Sequence, residues 1–209
     1  MRLTDHFRNT RCIGITGGVG SGKTAVTGYL KEMTRCRAFY ADTEAKKLYL
    51  PGSPVSDRLI GILGEDLLDD RGQLNTGKLA SRIFKDKELL EQVNSVIHPA
   101  VKELILDETA KEKASGKRDF FFVEAALLVE EGYEEILDEL WYVYSPEDIR
   151  RDRLKSTRGY SDEKIDEIFE SQLSDKEYRA HCRRVIDNSG SVEEMHAFID
   201  NMLKDYITL

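Results

Sequence analysis

No stretch of the chain approaches the ~20 consecutive apolar residues needed to span a bilayer; the longest apolar run, Phe120–Val129, is broken by Glu124. A membrane partner is therefore not expected. The opening residues, MRLTDHFRNTRCIGI, are polar and lead straight into a strand. They lack the charged-then-apolar layout of a secretory signal, so the expected location is the cytoplasm and the residues before the strand read as a short tail. Cysteine is scarce: Cys12, Cys36 and Cys182 are odd in number and widely spaced. That excludes a disulfide framework, and without a Cys-x-x-Cys or Cys/His pattern there is no metal-site signal, so reduced, structural thiols are expected. Positive charge is in deficit, 31 Lys and Arg against 39 Asp and Glu, for a net charge of −8. Nucleic acid backbones are bound by Lys/Arg clusters, so nucleic acid is not an expected partner. A single nucleotide is not excluded, because a local basic pocket can sit on an acidic body. Internal repeats and low-complexity linkers are absent too. The 209 residues fit one domain, or one core with a smaller insert, and a monomer is expected, with an oligomer left open.

What the chain does contain is an alternation of short apolar runs and helices. Strands are predicted at Cys12–Thr16, Cys36–Ala41, Phe120–Val123, Leu140–Tyr144 and Val185–Asp187. Helices are predicted at Thr24–Lys31, from the second strand to about Tyr49, and at Val192–Tyr206. Short apolar strands alternating with helices imply an α/β fold with a parallel sheet covered on both faces. Two stretches interrupt the pattern. Residues 51–116 read as helical with no good strand, including a long segment around Lys87–Lys113, and residues 146–183 read as helical and highly charged. The core is then expected at about 12–50, 117–145 and 184–209, with the two inserts as flaps that close over substrates.

The strongest motif is Gly17-Gly18-Val19-Gly20-Ser21-Gly22-Lys23-Thr24. It matches the phosphate-binding pattern G-x-x-x-x-G-K-[ST] in full, between a predicted strand and a predicted helix. Glycines let the backbone wrap with its N–H groups inward, as a nest for phosphate oxygens, and the helix N-terminus adds partial positive charge. Gly18, Val19, Gly20, Ser21, Gly22, Lys23, Thr24 and the following Ala25 are the expected ATP contacts. Lys23 is expected on the β/γ-phosphates and the Thr24 hydroxyl on Mg²⁺.

A P-loop does not choose among kinases, GTPases and motor ATPases. No guanine-specifying N-K-x-D motif is present, no LSGGQ-type signature is present, and the D-x-x-G match at Asp69–Gly72 lies in a polar stretch that reads as a turn. A small-molecule or nucleoside-type kinase is the better fit. Asp42 stands at the carboxyl end of the second predicted strand, where a carboxylate can take a proton from an attacking hydroxyl. It could equally cap a helix beginning at Thr43, and position alone leaves both open.

The blocks CIGITGGVGSGKT, YAD, VNSVIHPAV, EAALLVE, STRGYSDEKI and VIDNSGS run in order from about Cys12 to the end. Together they closely resemble the dephospho-CoA kinases. The resemblance implies a P-loop NTPase three-layer fold like that of nucleoside monophosphate kinases, with a five-stranded parallel sheet, a helical CoA-binding insert and a helical lid. It implies transfer of the ATP γ-phosphate to the ribose 3′-hydroxyl of dephospho-CoA, giving coenzyme A and ADP, with Mg²⁺. Asp42 matches the second Asp of the family's Asp-x-Asp and becomes the expected general base, while Tyr40 departs from the first. Lys46 stands where the family usually has Arg, keeping the charge and losing the fork. Glu124 is expected to act on Mg²⁺ through water, with Ala126 replacing the proline of the family's block. Leu127 and Leu128 are expected as packing, beneath the bound substrate. Arg158 matches the lid arginine that stabilises the transferring phosphoryl group. Of Arg150, Arg151 and Arg153, all possible phosphate contacts, Arg153 sits best by resemblance. Asn188 and Gly190 are expected at adenine. His98, ahead of Pro99, is either a contact to the diphosphate or pantetheine arm or a structural residue ending a helical turn. His6, His181 and His196 read as surface residues.

Overall fold

A computed structural model describes residues 9–72, 74–83 and 86–207; most of the expected tail, His6 included, lies outside them. The chain divides into two units, one built from the chain up to Phe39 and from Thr109 onward, the other from Tyr40–Glu108. No helix among the described residues is long and apolar enough to cross a membrane.

The first unit is organised by five strands: β1 (Arg11–Thr16), β2 (Cys36–Tyr40), β3 (Phe120–Glu124), β4 (Glu139–Tyr144) and β5 (Arg184–Asp187). They form a five-stranded parallel sheet in the order β2-β3-β1-β4-β5. The register pairs Ile15 with Glu124, Thr16 with Tyr142 and Tyr144 with Asp187. Those pairings bring the carboxyl ends of β1, β3, β4 and β5 to one edge, where ligands of open α/β sheets bind.

The strands are near-continuous apolar runs because both faces are covered. On one face Ile13, Ile15, Phe122, Trp141 and Ile186 share a core with Val26 and Leu30 of α1 (Lys23–Met33) and with Met195, Ile199 and Leu203 of α9 (Val192–Ile207). The other face closes over Gly14. A Cβ there would lie 2.5 Å from Leu140 Cδ2, 2.7 Å from Leu128 Cδ1 and 2.9 Å from Leu137 Cδ1, so a larger residue would force the leucines apart.

The charged stretch after β4 folds into α6 (Glu147–Arg158), α7 (Asp162–Glu170) and α8 (Asp175–His181). Local sequence sets the breaks. Gly159 ends α6 at φ +62, the Ser161 hydroxyl caps α7, and Ser174 with Glu177 forms a reciprocal capping box on α8.

The second unit holds α2 (Ala41–Ala45), a tight turn at Lys46–Tyr49, α3 (Pro54–Leu63), α4 (Thr76–Ile83) and the start of α5 (Lys87–Ser115). Leu59, Leu63, Leu67, Leu74, Leu79, Val93 and Val96 form its core. Asp69–Gly72 is the turn that the sequence suggests: the Gly72 N–H donates to the Asp69 carbonyl at 2.9 Å and the Arg71 N–H to its carboxylate at 2.9 Å. Pro99 corrects one expectation. No helical turn ends at His98, because α5 runs straight through the proline. The Ser95 carbonyl forfeits its helical donor, a cost of up to ~3 kcal/mol, offset by the burial of Val93 and Val96 on one side of the proline and Ile105 on the other.

Candidate active site

The loop between β1 and α1 is shaped by what holds its carbonyls. Ser21 O accepts from Asn188 Nδ2 at 2.7 Å and lies within hydrogen-bond reach of Ser145 Oγ (3.3 Å) and Arg153 Nη1 (3.4 Å). Val19 O accepts from Arg150 Nε at 2.9 Å. A trans peptide points its C=O and N–H in opposite directions, so carbonyls pinned on the protein side aim the Gly20 and Gly22 N–H groups the other way, as an anion nest requires. Gly22 must be glycine. It precedes α1 at φ +91, and a Cβ would sit 2.1 Å from Asn188 Nδ2.

Two side chains carry the charge chemistry. Lys23 Nζ stays at the loop, donating to Gly17 O at 2.7 Å and Gly18 O at 3.3 Å. The Thr24 hydroxyl, in the first turn of α1, donates to Glu124 Oε1 at 2.6 Å across 100 residues of chain. The other oxygen, Glu124 Oε2, is buried with no hydrogen-bond partner among the described residues, as is Ser21 Oγ. A buried carboxylate oxygen without a partner is costly and marks a place where a cation fits. No group of three or more His, Cys, Asp or Glu is assembled as a metal site among the described residues. A hydroxyl beside one carboxylate is instead the protein share expected of Mg²⁺, which takes its remaining ligands from phosphate and water.

A dephospho-CoA kinase family model matches residues 11–194. The chain belongs to the dephospho-CoA kinase family. It is 33% identical over 200 residues to a dephospho-CoA kinase of Corynebacterium diphtheriae, covering 95% of this chain and 98% of that one. Among solved structures, TT1252 from Thermus thermophilus superposes with a TM-score of 0.76 at 27% identity, covering 95% of this chain and 98% of the other. A dephospho-CoA kinase from Campylobacter jejuni superposes with a TM-score of 0.71 at 19% identity, covering 94% and 97%, and speaks for the fold alone. Family membership gives the chain its reaction, phosphorylation of dephospho-CoA with ATP as donor.

Within the structure the sequence-predicted residues separate into groups. Gly18, Val19, Gly20, Ser21, Gly22, Lys23, Thr24 and Ala25 form the loop and the first turn of α1, and Glu124 joins them. Arg153 and Asn188 are at the loop but face it from outside. The Asn188 side-chain amide is committed to Ser21 O, and the Asn188 backbone carbonyl accepts from Ser145 Oγ at 2.7 Å and Arg153 Nη2 at 2.8 Å. At 7% exposure the Asn188 side chain braces the loop. Gly190 is exposed, in the turn before α9. Leu128 takes the packing role expected of it. It is fully buried against Gly14, whereas Leu127 is 43% exposed, so only Leu127 is available to a ligand. Arg158 is the exposed last residue of α6, its guanidinium 5.9 Å from the Tyr160 ring centroid, and it makes no hydrogen bond to the loop among the described residues. Arg151 is held by Asp162 and Asp166.

Asp42, Lys46 and His98 belong to the second unit. Tyr40 takes the N-cap position of α2, so Asp42 is not the cap; it stands exposed in the first turn. Burial, and then the Asp42 carboxylate, push the Tyr49 phenol above its ordinary value. Lys46 is exposed at the start of the following tight turn, and His98 is half-buried within α5.

Three residues at the loop went unassigned or under-weighted in the sequence: Ser145, Gln172 and Arg150. The Val19 N–H donates to Gln172 Oε1 at 3.3 Å, from the connection between α7 and α8. Nothing local distinguishes a glutamine in a charged, helical stretch; only folding brings it 153 residues back to the loop.

Proposed function

We propose that Lys23, Thr24, Glu124, Asp42 and Arg158 carry out the transfer from ATP to the ribose 3′-hydroxyl of dephospho-CoA. The observation that carries this reading is the Thr24–Glu124 pair with its partnerless carboxylate oxygen, beside a loop whose carbonyls are pinned outward. Thr24 would ligate Mg²⁺ directly and Glu124 through water; bound there, the ion neutralises charge on the β- and γ-phosphates. Lys23 holds the same phosphates. Asp42 accepts the proton of the 3′-hydroxyl as its oxygen bonds to the γ-phosphorus and the bond to ADP breaks. Arg158 is the lid arginine by resemblance, on the segment 146–183 that serves as lid, while residues 51–116 serve as the CoA-binding insert. Lys46 and His98 in the second unit and Leu127 in the first are the proposed substrate contacts, with Gly190 at adenine. Action as a monomer in the cytoplasm belongs to the same reading.

Release of ADP, measured with and without dephospho-CoA, tests the proposal, with adenosine, AMP and shikimate as control acceptors. Strong stimulation by dephospho-CoA alone is the expected result. Equal or greater stimulation by a control acceptor, or none by dephospho-CoA, would overturn it.

A further inference from the structure

Arg150 is a buried cation, 8% exposed, with no ion-paired carboxylate among the described residues. Its Nε donates to Val19 O at 2.9 Å, its Nη2 donates to Gln172 Oε1, and its guanidinium lies 4.3 Å from the Phe169 ring centroid. Gln172 Oε1 also accepts the Val19 N–H, so the two side chains grip that residue by both its backbone groups. Burial pulls the Arg150 pKa below its ordinary value, opposed by Tyr142, Glu147 and Tyr178; a guanidinium still stays protonated at neutral pH. A positive charge whose hydrogen bonds go to neutral acceptors is expensive to bury.

Its placement says what offsets that cost. A Cβ on Gly18 would fall 2.4 Å from the Arg150 guanidinium carbon, so the cation rests against the Gly18–Val19 arm of the loop from the side of the pinned Val19 carbonyl and acts on charge across that arm. Lys23 Nζ lies on the carbonyls of Gly17 and Gly18, the same arm. Since the P-loop lysine reaches the β/γ-phosphates, this arm is the γ-phosphate side. Of the other arginines of this segment, Arg151 is spent on Asp162 and Asp166, Arg153 reaches the Ser21 and Asn188 carbonyls rather than the Gly18–Val19 arm, and Arg158 is exposed.

We propose that Arg150 is a further charge-stabilising residue for the transferring phosphoryl group, additional to Arg158, and that Gln172 is the positioning residue that holds it on the loop. The inference rests on reading the loop as the ATP site. A cation already fixed in a low-dielectric setting stabilises developing charge without reorganisation, the arrangement of greatest catalytic value. The neutral amide of Gln172 orients the guanidinium and leaves its charge uncancelled, where a carboxylate would neutralise it.

Arg150→Met keeps length and removes charge, and Gln172→Glu keeps shape and cancels the charge by pairing. Each is measured for equilibrium binding of ATP and of ADP, for kcat with dephospho-CoA, and for melting temperature. Arg150→Met is expected to lower kcat by about 100-fold or more and to weaken ATP by about tenfold, with ADP affinity within about threefold. Gln172→Glu is expected to lower kcat by about tenfold or more with ADP affinity and melting temperature retained. Retained kcat in both variants, or equal loss of ATP and ADP affinity, would overturn the proposal in favour of a loop scaffold. If Arg150→Met does not fold, Gln172→Glu decides alone. Nucleotide binding needs no acceptor, so an enzyme unresponsive to dephospho-CoA would still give the ATP/ADP contrast.

Discussion

Asn188 Nδ2 donates to the Ser21 carbonyl at 2.7 Å, joining the end of β5 to the middle of the P-loop across 167 residues of chain. The same residue's carbonyl receives Arg153 and Ser145, the latter just after β4. Three segments of the sheet's carboxyl edge thus converge on one peptide. Fixing the Ser21 oxygen on the protein side fixes the Gly22 N–H toward the phosphate side.

Replacing Asn188 with Ala should therefore weaken phosphate binding and leave base selection alone. Losing a buried hydrogen bond costs about 1–3 kcal/mol, so ATP and ADP affinity should each fall by roughly tenfold, with the ATP-to-GTP preference unchanged. Calorimetric titration with the three nucleotides checks this. A loss confined to adenine nucleotides would make Asn188 a base reader after all.

The strands and the P-loop were legible because their signals are local: CIGIT, FFFV and LWYVY are apolar runs of strand length, and eight loop residues stand in register between strand and helix. Helix ends were off by a residue or two, as fraying ends usually are. What sequence hid is non-local. That Leu128 packs on Gly14 while its neighbour Leu127 is exposed depends on strand register, and that Asn188 points at Ser21 depends on the approach of β5. Pro99 misled because a proline rule states a local cost, and the apolar positions on either side of it outweigh that cost.

Turnover should require Mg²⁺ through the Thr24–Glu124 pair. Chelation with excess EDTA should abolish activity, and added Mg²⁺ should restore it. Thr24→Ala and Glu124→Gln should each raise the Mg²⁺ concentration for half-maximal rate by about tenfold, the scale of losing one ligand or its orienting partner. A Glu124→Gln enzyme with an unchanged Mg²⁺ titration would confine Glu124 to holding the Thr24 hydroxyl.

Asp42→Asn keeps the shape of an exposed side chain in the first turn of α2 and removes its basicity. If Asp42 takes the hydroxyl proton, kcat should fall by about 10²–10⁴-fold with ATP affinity unaltered. Steady-state rates alongside nucleotide binding separate the two quantities. An unaffected kcat would remove Asp42 as the base.

The cysteines should be chemically silent while the fold is intact. Burial pushes the Cys12 thiol up to about 12, with Asp138 and Glu112 adding to it against Lys113; burial, Glu134 and Glu130 do the same for Cys182, again to about 12, and Cys36 is raised by burial. A raised thiol pKa favours the neutral form, and the thiolate is the nucleophile. At pH 8 a thiol with a pKa near 12 is about one part in 10⁴ thiolate, so reactivity should stay low until the pH approaches that value. Iodoacetamide at pH 8 should leave Cys12 and Cys182 unmodified in the native protein and label all three cysteines after denaturation, read by intact mass. Rapid labelling of native Cys182 would identify a thiolate there, and the assignment of all three cysteines as structural thiols would fall.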